Sequence, residues 1–236
     1  MSNVSNTINT RLSQLIGKYD LLTHPFYRSW SIGELTLAQL QLYAREYFHF
    51  VKLVPTFVSR IHSNCESHSI RLSILENLVE EETGGEGLIP HEELWIWFAQ
   101  GIGVDRSELI SAVPTSATRK LLLTFKNLCS ASFCPVGAAA MYAYESRIPG
   151  IAESKLVGLK QFYSINDENT LRFFQEHILV DIEHAKTWEE IIAMMVETPE
   201  QQTQVEESTT KAARALWEFL DGVCEECGIS LSNCTQ

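Results

Sequence analysis

Residues 175–186 read QEHILVDIEHAK, and the spacing inside this stretch decides the fold. His177, Asp181 and His184 stand at i, i+4 and i+7. At 100° per residue, their side chains lie within about 60° of one another on one helix face. Two imidazoles and a carboxylate projecting together form half of a metal site, because each presents a lone pair to one divalent ion. A second half must then come from other segments that the fold carries to the same place.

Outward from this run the text reads as helix nearly throughout, with no alternating strand and no internal repeat. Leu12, Leu15 and Ile16 mark a first amphipathic helix, and Pro25 opens a short second one. Thr36-x-x-Gln39 is a capping box ahead of a long apolar-periodic run from Leu37 to about Ser63, in which Pro55 predicts a kink. Another helix runs from about Ser69 to Thr83 and stops at the Gly84-Gly85-x-Gly87 loop; the next spans about Pro90 to Gln100. Ala117–Ser130, Pro135–Arg147 and Pro149–Tyr163 follow. The helix carrying the metal run begins after Asn166 or Asp167 and continues to about Met195. Pro199 breaks the chain, and a last amphipathic helix reaches about Cys227. The expectation is a single all-α domain over residues 1–228, a bundle of about seven to eight helices, with residues 229–236 as a flexible tail.

The 236 residues are 45% apolar and 20% charged, enough to bury a sizeable core. A formal net charge of −12 argues against a nucleic-acid partner, which requires clustered Lys and Arg. No apolar run approaches the roughly 18 residues of a membrane span. The longest is the short stretch from Val136 to Tyr144. The opening MSNVSNTINTRLSQ has neither a charged region nor an apolar one, so a cytoplasmic location is expected. The cysteines Cys65, Cys129, Cys134, Cys224, Cys227 and Cys234 are then expected to be reduced. Cys224-x2-Cys227 with Cys234 has the spacing of a small zinc or redox site but no clear fourth ligand, which favours exposed tail thiols.

Two further places supply ligands. Glu80-Glu81-Glu82 ends one helix and His91 begins the next beyond the glycine loop, so Glu81 and His91 can approach one ion from both sides of a turn. Glu145 lies in AAMYAYESRIP, a run so apolar that the carboxylate must face the core, where it needs a cation, hydrogen bonds or a proton. Taken singly, each has an ordinary reading. The glutamate triplet suits a solvated helix end, His91 a structural first-turn histidine, and Glu145 a partner for Arg147 or a lysine. Taken together, Glu81, His91, Glu145, His177, Asp181 and His184 are three carboxylates and three imidazoles from four helices. That is a dinuclear, oxygen-activating donor set, richer in nitrogen than paired Glu-x-x-His motifs. With no thiolate it suits iron or manganese, two irons or a manganese–iron pair, without excluding zinc.

These residues in this order resemble the family of the chlamydial protein associating with death domains, within the haem-oxygenase-like dimetal oxidases. The likeness runs through HPFYRSWS, LTLAQLQLYAREYF, FVSRIHSNC, LVEEETG, HEELW, AYESRIPGIAESK and HILVDIEHA, and fades beyond about Gly228. The resemblance implies that 4-aminobenzoate, the folate precursor, is made at the dimetal site with dioxygen and an external reductant as co-substrates. The ring would come from the protein's own Tyr27 and the amino group from its own Lys155. Tyr43 is a further matching tyrosine placed to relay a radical or support the first, and Tyr144 is a weaker candidate. Phe173 stands where the chlamydial protein has a tyrosine, which puts a relay there in doubt. A homodimer is implied as well.

The chemistry is coherent in its own terms. A phenol is easily oxidised, and a buried lysine loses its proton and becomes a nucleophile. Tyr27 would keep its β-carbon as the carboxylate carbon, so each chain would turn over once. Competing readings are a dimetal oxygenase acting on an external small molecule and a protein-interaction module of the death-domain type. A haem oxygenase with His24 as proximal ligand is disfavoured by a carboxylate-lined core. A thiaminase with Cys134 as nucleophile is disfavoured because no histidine neighbours it.

Overall fold

The computed structural model describes residues 2–84 and 89–231, with residues 2–7 as backbone only. The chain forms α1 (Ser2–Gly17), α2 (Pro25–Ser31), α3 (Leu37–Val51), α4 (Val54–Asn64), α5 (His68–Thr83) and α6 (His91–Gly101). It continues through α7 (Arg106–Ser111), α8 (Ser116–Cys129), α9 (Cys134–Glu145), α10 (Ile148–Tyr163), α11 (Glu168–Met195) and α12 (Pro199–Cys227). A 3-10 turn at Leu21–Thr23 precedes α2, and no strand occurs among the described residues. The all-α expectation holds.

The described residues form twelve α-helices, two more than the ten helical segments read along the sequence and above the seven to eight expected of the bundle, and the two additions have separate reasons. The run from Leu37 to Ser63 is two helices rather than one kinked helix. The ladder ends with Leu53 N–H on the Phe50 carbonyl, and Pro55 sits in the first turn of α4, where no backbone donor is needed. The six residues of α7 bury only Leu109, too little to leave an apolar period in the sequence. The capping box at Thr36 and the N-cap at Asp167 form as the sequence indicates. Of the expected glycine loop, Gly84 closes α5 at φ 74°, in the left-handed region. Residues 85–88 lie outside the described residues.

At the centre is α9, CPVGAAAMYAYE, buried on every side but one residue. Its alanines and Gly137 have almost no side-chain bulk, so α11, α12, α4 and α8 pack closely around it. The long helices α11 and α12 flank α9, while α10 and α6 lie along α11. This arrangement carries the last residue of α9 to the middle of α11, where the metal run lies. The chain's largest side chains fill the rest: Trp30, Trp95, Trp188, Tyr43 and eight phenylalanines are less than 2% exposed. No helix among the described residues is long and apolar enough to cross a membrane.

Cys224 is wholly buried and Cys227 half-buried, which corrects the expectation of exposed tail thiols. The apolar face of α12, through Leu216, Leu220 and Val223, continues to the end of that helix and takes the cysteines with it. The third residue of that expected group, Cys234, lies outside the described residues.

Candidate metal centre

Four helices converge on one buried cluster. The last turn of α5 brings Glu81, the first turn of α6 brings His91, and the end of α9 brings Glu145. From α11 come His177, Asp181 and His184. All six are at most 5% exposed, so Glu81 is not the solvated helix end that its neighbours suggest.

Donor atoms of Glu81, Glu145 and His184 lie within 4.8 Å of one another. His184 Nδ1 stands 3.8 Å from Glu81 Oε1 and 3.9 Å from Asp181 Oδ1. His91 Nδ1 is 2.9 Å from Glu81 Oε2. The His177 and His91 rings are 4.4 Å apart between centroids. His177 donates its Nδ1–H to the Phe173 carbonyl at 2.7 Å, which leaves Nε2 as the lone-pair nitrogen. The Phe173 ring stacks on that imidazole at 3.9 Å and carries no hydroxyl through which to relay anything.

The electrostatics are those of a cradle for cations. Burial, then the charge of neighbouring Glu81, raises the Glu145 carboxyl to about 8 against the pull of His184 and Trp188. Burial and Glu145 push Asp181 up as well. Glu81 goes the other way: burial raises it, but His91, His184 and His177 outweigh burial and hold it at about 2. Burial alone would lower His184, yet its bond to Glu80 and the charges of Glu145 and Glu81 bring it to about 9. Asp181 Oδ2 and His184 Nδ1 are buried without a hydrogen-bond partner. Crowded carboxylates and buried polar atoms left without a partner are what divalent ions satisfy, displacing the protons held there, so these residues fit a metal site.

Three residues that ligand spacing alone does not single out complete the surroundings. Glu80 Oε2 accepts from His184 Nε2 at 3.1 Å, which fixes Nδ1 as the nitrogen facing the carboxylates. Trp188 donates its indole N–H to Glu145 Oε2 at 2.5 Å, replacing the Arg147 or lysine partner that the sequence suggests. Tyr47 stacks on Tyr43 at 5.4 Å and shares a 2.9 Å hydroxyl contact with Tyr144. The signal for Trp188 and Tyr47 lies in the sequence: each is four residues beyond a site residue on the same helix.

Beside the cluster, α2, α3 and α10 form a second buried pocket. Tyr27 and Lys155 are each 5% exposed and Tyr43 is fully buried. Lys155 Nζ donates to Tyr43 Oη at 2.6 Å, and Tyr43 Oη lies 2.9 Å from Tyr27 Oη. The amine is 4.7 Å from the centroids of both the Tyr27 and the Tyr43 rings. Burial holds the amine well below its ordinary pKa and pushes both phenols up. Tyr144 is the residue before Glu145, so the phenols of Tyr43, Tyr47 and Tyr144 span the space between pocket and cluster.

His24 caps α2: its Nδ1 accepts from Phe26 N–H at 3.1 Å and its Nε2 lies 3.1 Å from Asp221 Oδ1. Both nitrogens are engaged, which leaves neither for a haem iron. Cys134 is buried, with Met195 Sδ 3.5 Å from its sulfur. It is a core residue.

A family model described as an iron-containing redox enzyme of the haem-oxygenase type matches residues 41–217. The chain is 37% identical over 230 residues to a 4-aminobenzoate synthase of Nitrosomonas europaea, covering 94% of this chain and 92% of that protein. It is 34% identical over 222 residues to a 4-aminobenzoate synthase of Chlamydia trachomatis, covering 92% of this chain and 94% of that one. Among solved structures, a CADD-like protein of unknown function from Nostoc punctiforme superposes with a TM-score of 0.75 at 20% identity, over 96% of this chain and 99% of that one. With the match spanning most of its length and its helices in the same arrangement, the chain belongs to the haem-oxygenase-like family of iron-containing redox enzymes.

Proposed function

We propose that the chain makes 4-aminobenzoate by an oxygen-dependent reaction that consumes part of itself. Glu81, His91, Glu145, His177, Asp181 and His184 hold two metal ions, both iron or one manganese and one iron. Tyr27 supplies the ring and Lys155 the nitrogen. The observation that carries the reading is the position of the Lys155 amine, 4.7 Å from the centroid of the Tyr27 ring in a pocket closed to solvent. The names of the relatives support the product assignment.

When bound, the metal pair supplies oxidising power by reducing dioxygen with electrons from an external reductant. The protein's own residues do the rest. Burial favours the neutral form of Lys155, so its nitrogen lone pair is available to the phenol carbon of Tyr27. Release of the product then needs cleavage of Lys155 Cε–Nζ and Tyr27 Cα–Cβ, both oxidative and both drawing on dioxygen as oxidant. Tyr43 Oη accepts a hydrogen bond from Lys155 Nζ and lies in hydrogen-bond contact with Tyr27 Oη, where either hydroxyl can donate. A hydroxyl so placed passes a proton from the attacking amine to the oxygen that must leave the ring. The closed aromatic wall keeps water away from the activated ring.

The test uses purified chain carrying ring-labelled tyrosine, loaded with iron and manganese and given reductant and oxygen but no added substrate. Labelled 4-aminobenzoate is expected, at no more than one per chain, with a mass deficit mapping to position 27 by peptide mass spectrometry. Unlabelled product, or product that appears only when a small molecule is added, would overturn self-donation in favour of an external substrate.

A further inference from the structure

The stripe that His177, Asp181 and His184 form on α11 does not end with the histidine. Trp188 follows four residues later on the same face, fully buried, with its indole N–H on Glu145 Oε2. Resting on the reading of Glu145 as a ligand, we propose that Trp188 is a positioning residue that occupies one oxygen of Glu145 and makes this carboxylate bind a single ion through Oε1.

The argument starts from what a carboxylate does when unrestrained. With both oxygens free it chelates one ion or bridges two, and exchange between these modes changes the separation and the open positions of the metals. An indole N–H aimed at Oε2 takes up a lone pair there and fixes the rotamer of the glutamate. Indole is a donor only and does not titrate, so this restraint persists across the pH range. It is also rigid, being packed without exposure in a helix of 28 residues.

Packing alone does not account for the choice of residue. The three fully buried tryptophans each satisfy their N–H, but Trp30 gives it to the Lys155 carbonyl and Trp95 to the Ala44 carbonyl. Trp188 gives its N–H to a side chain of the metal cluster. The Glu145 carboxylate would otherwise be crowded by Glu81 and Asp181, and the donor stabilises its charged form there. Glu80 serves His184 in the same manner from α5, so two of the three donor groups that lie within 4.8 Å are each steered by a neighbour.

The test replaces Trp188 with 3-benzothienylalanine, which keeps the shape and exchanges the N–H for sulfur, and in parallel makes Trp188→Phe. Manganese(II) binding and the infrared difference spectrum of 13C-glutamate-labelled protein are then measured. Both replacements are expected to weaken manganese binding by about tenfold or more. They are also expected to narrow the splitting between the two carboxylate stretches as Glu145 changes from one-oxygen to two-oxygen binding. The same isostere at Trp95 should leave both readouts unchanged. If the wild type binds manganese and the isostere at 188 binds it equally well with an unaltered spectrum, Trp188 is a packing residue and the inference fails. Failure of the wild type itself to bind manganese or iron would instead overturn the ligand reading, and the role of Trp188 with it.

Discussion

Lys155 sits among the rings of Tyr27, Trp30, Tyr43, Tyr47 and Phe174, with one hydroxyl as acceptor. Such a cage suits a cation, yet burial wins and holds the amine well below its ordinary value. The consequence for stability has a definite sign. Between the lowered folded pKa and the ordinary lysine value of about 10.4, the unfolded chain carries a proton that the folded chain has shed, so stability rises with pH. Lys155→Met in metal-free protein should therefore melt at a higher temperature than wild type at pH 7, with the difference shrinking as pH approaches about 10. A difference independent of pH would mean that the amine keeps its proton in the fold. Tyr43→Phe removes the acceptor of Lys155 and the partner of Tyr27 together, and should lower single-turnover product formation by roughly a hundredfold while leaving bound metal unchanged. Quantifying both on one sample separates the two effects. The convergence of the six candidate residues was legible in three ways: Glu145 as a charge in an apolar run, His177, Asp181 and His184 by helical spacing, and Glu81 and His91 by their places on either side of the glycine loop. Glu80 was not, because a hydrogen bond between side chains 104 positions apart leaves no local pattern, and for Trp188 the sequence shows its helical register but not its Glu145 partner 43 positions away.

Helix α10 reaches the pocket because Gly158 lies flat against Trp30. A β-carbon at 158 would fall 2.7 Å from Trp30 Cδ1 and 3.1 Å from its carbonyl oxygen. Gly158→Ala should destabilise the fold by about 1–2 kcal/mol, the overpacking outweighing the gain in helix propensity, as read by urea unfolding. Because Lys155 is one turn earlier on the same face, the variant should also yield less product per chain. Most elements were readable from their caps and their periods: Thr36 and Gln39, Asp167, and the proline at the head of α12. The break between α3 and α4 was not, because Pro55 permits either a kink inside a helix or the first turn of a new one. Packing of Val54 and Phe57 into the core decides between them. Short α7 was invisible for want of a buried face.

At the scale of the whole molecule, metal and fold are linked. Without a cation the centre holds three buried carboxylates whose mutual repulsion and burial push Glu145 and Asp181 toward their protonated forms. An ion that binds only the folded chain at a hundred times its dissociation constant adds about 2.7 kcal/mol of stability. Calorimetry with manganese(II) or iron(II) under argon should thus show melting raised by roughly 5–10 °C. His177→Ala should abolish most of that rise, and an unchanged melting point with wild type would remove the metal from the account. The haem-oxygenase-like bundle itself followed from helical text and from family motifs spread along the chain. Which pocket lies beside which cluster did not, since that is set by helices crossing far apart in sequence. The ring of Tyr27 is wedged between Phe26, Tyr43 and the Lys155 amine on a helix of only seven residues. On the proposed reaction, a copy that gives up that ring would be left with a hollow where an aromatic stood, a loss worth about 3–5 kcal/mol in other cores. Copies spent in that way should soften at lower denaturant than fresh ones and fall first to proteases, so that a chain consumed by its proposed reaction would also flag its own remains for recycling.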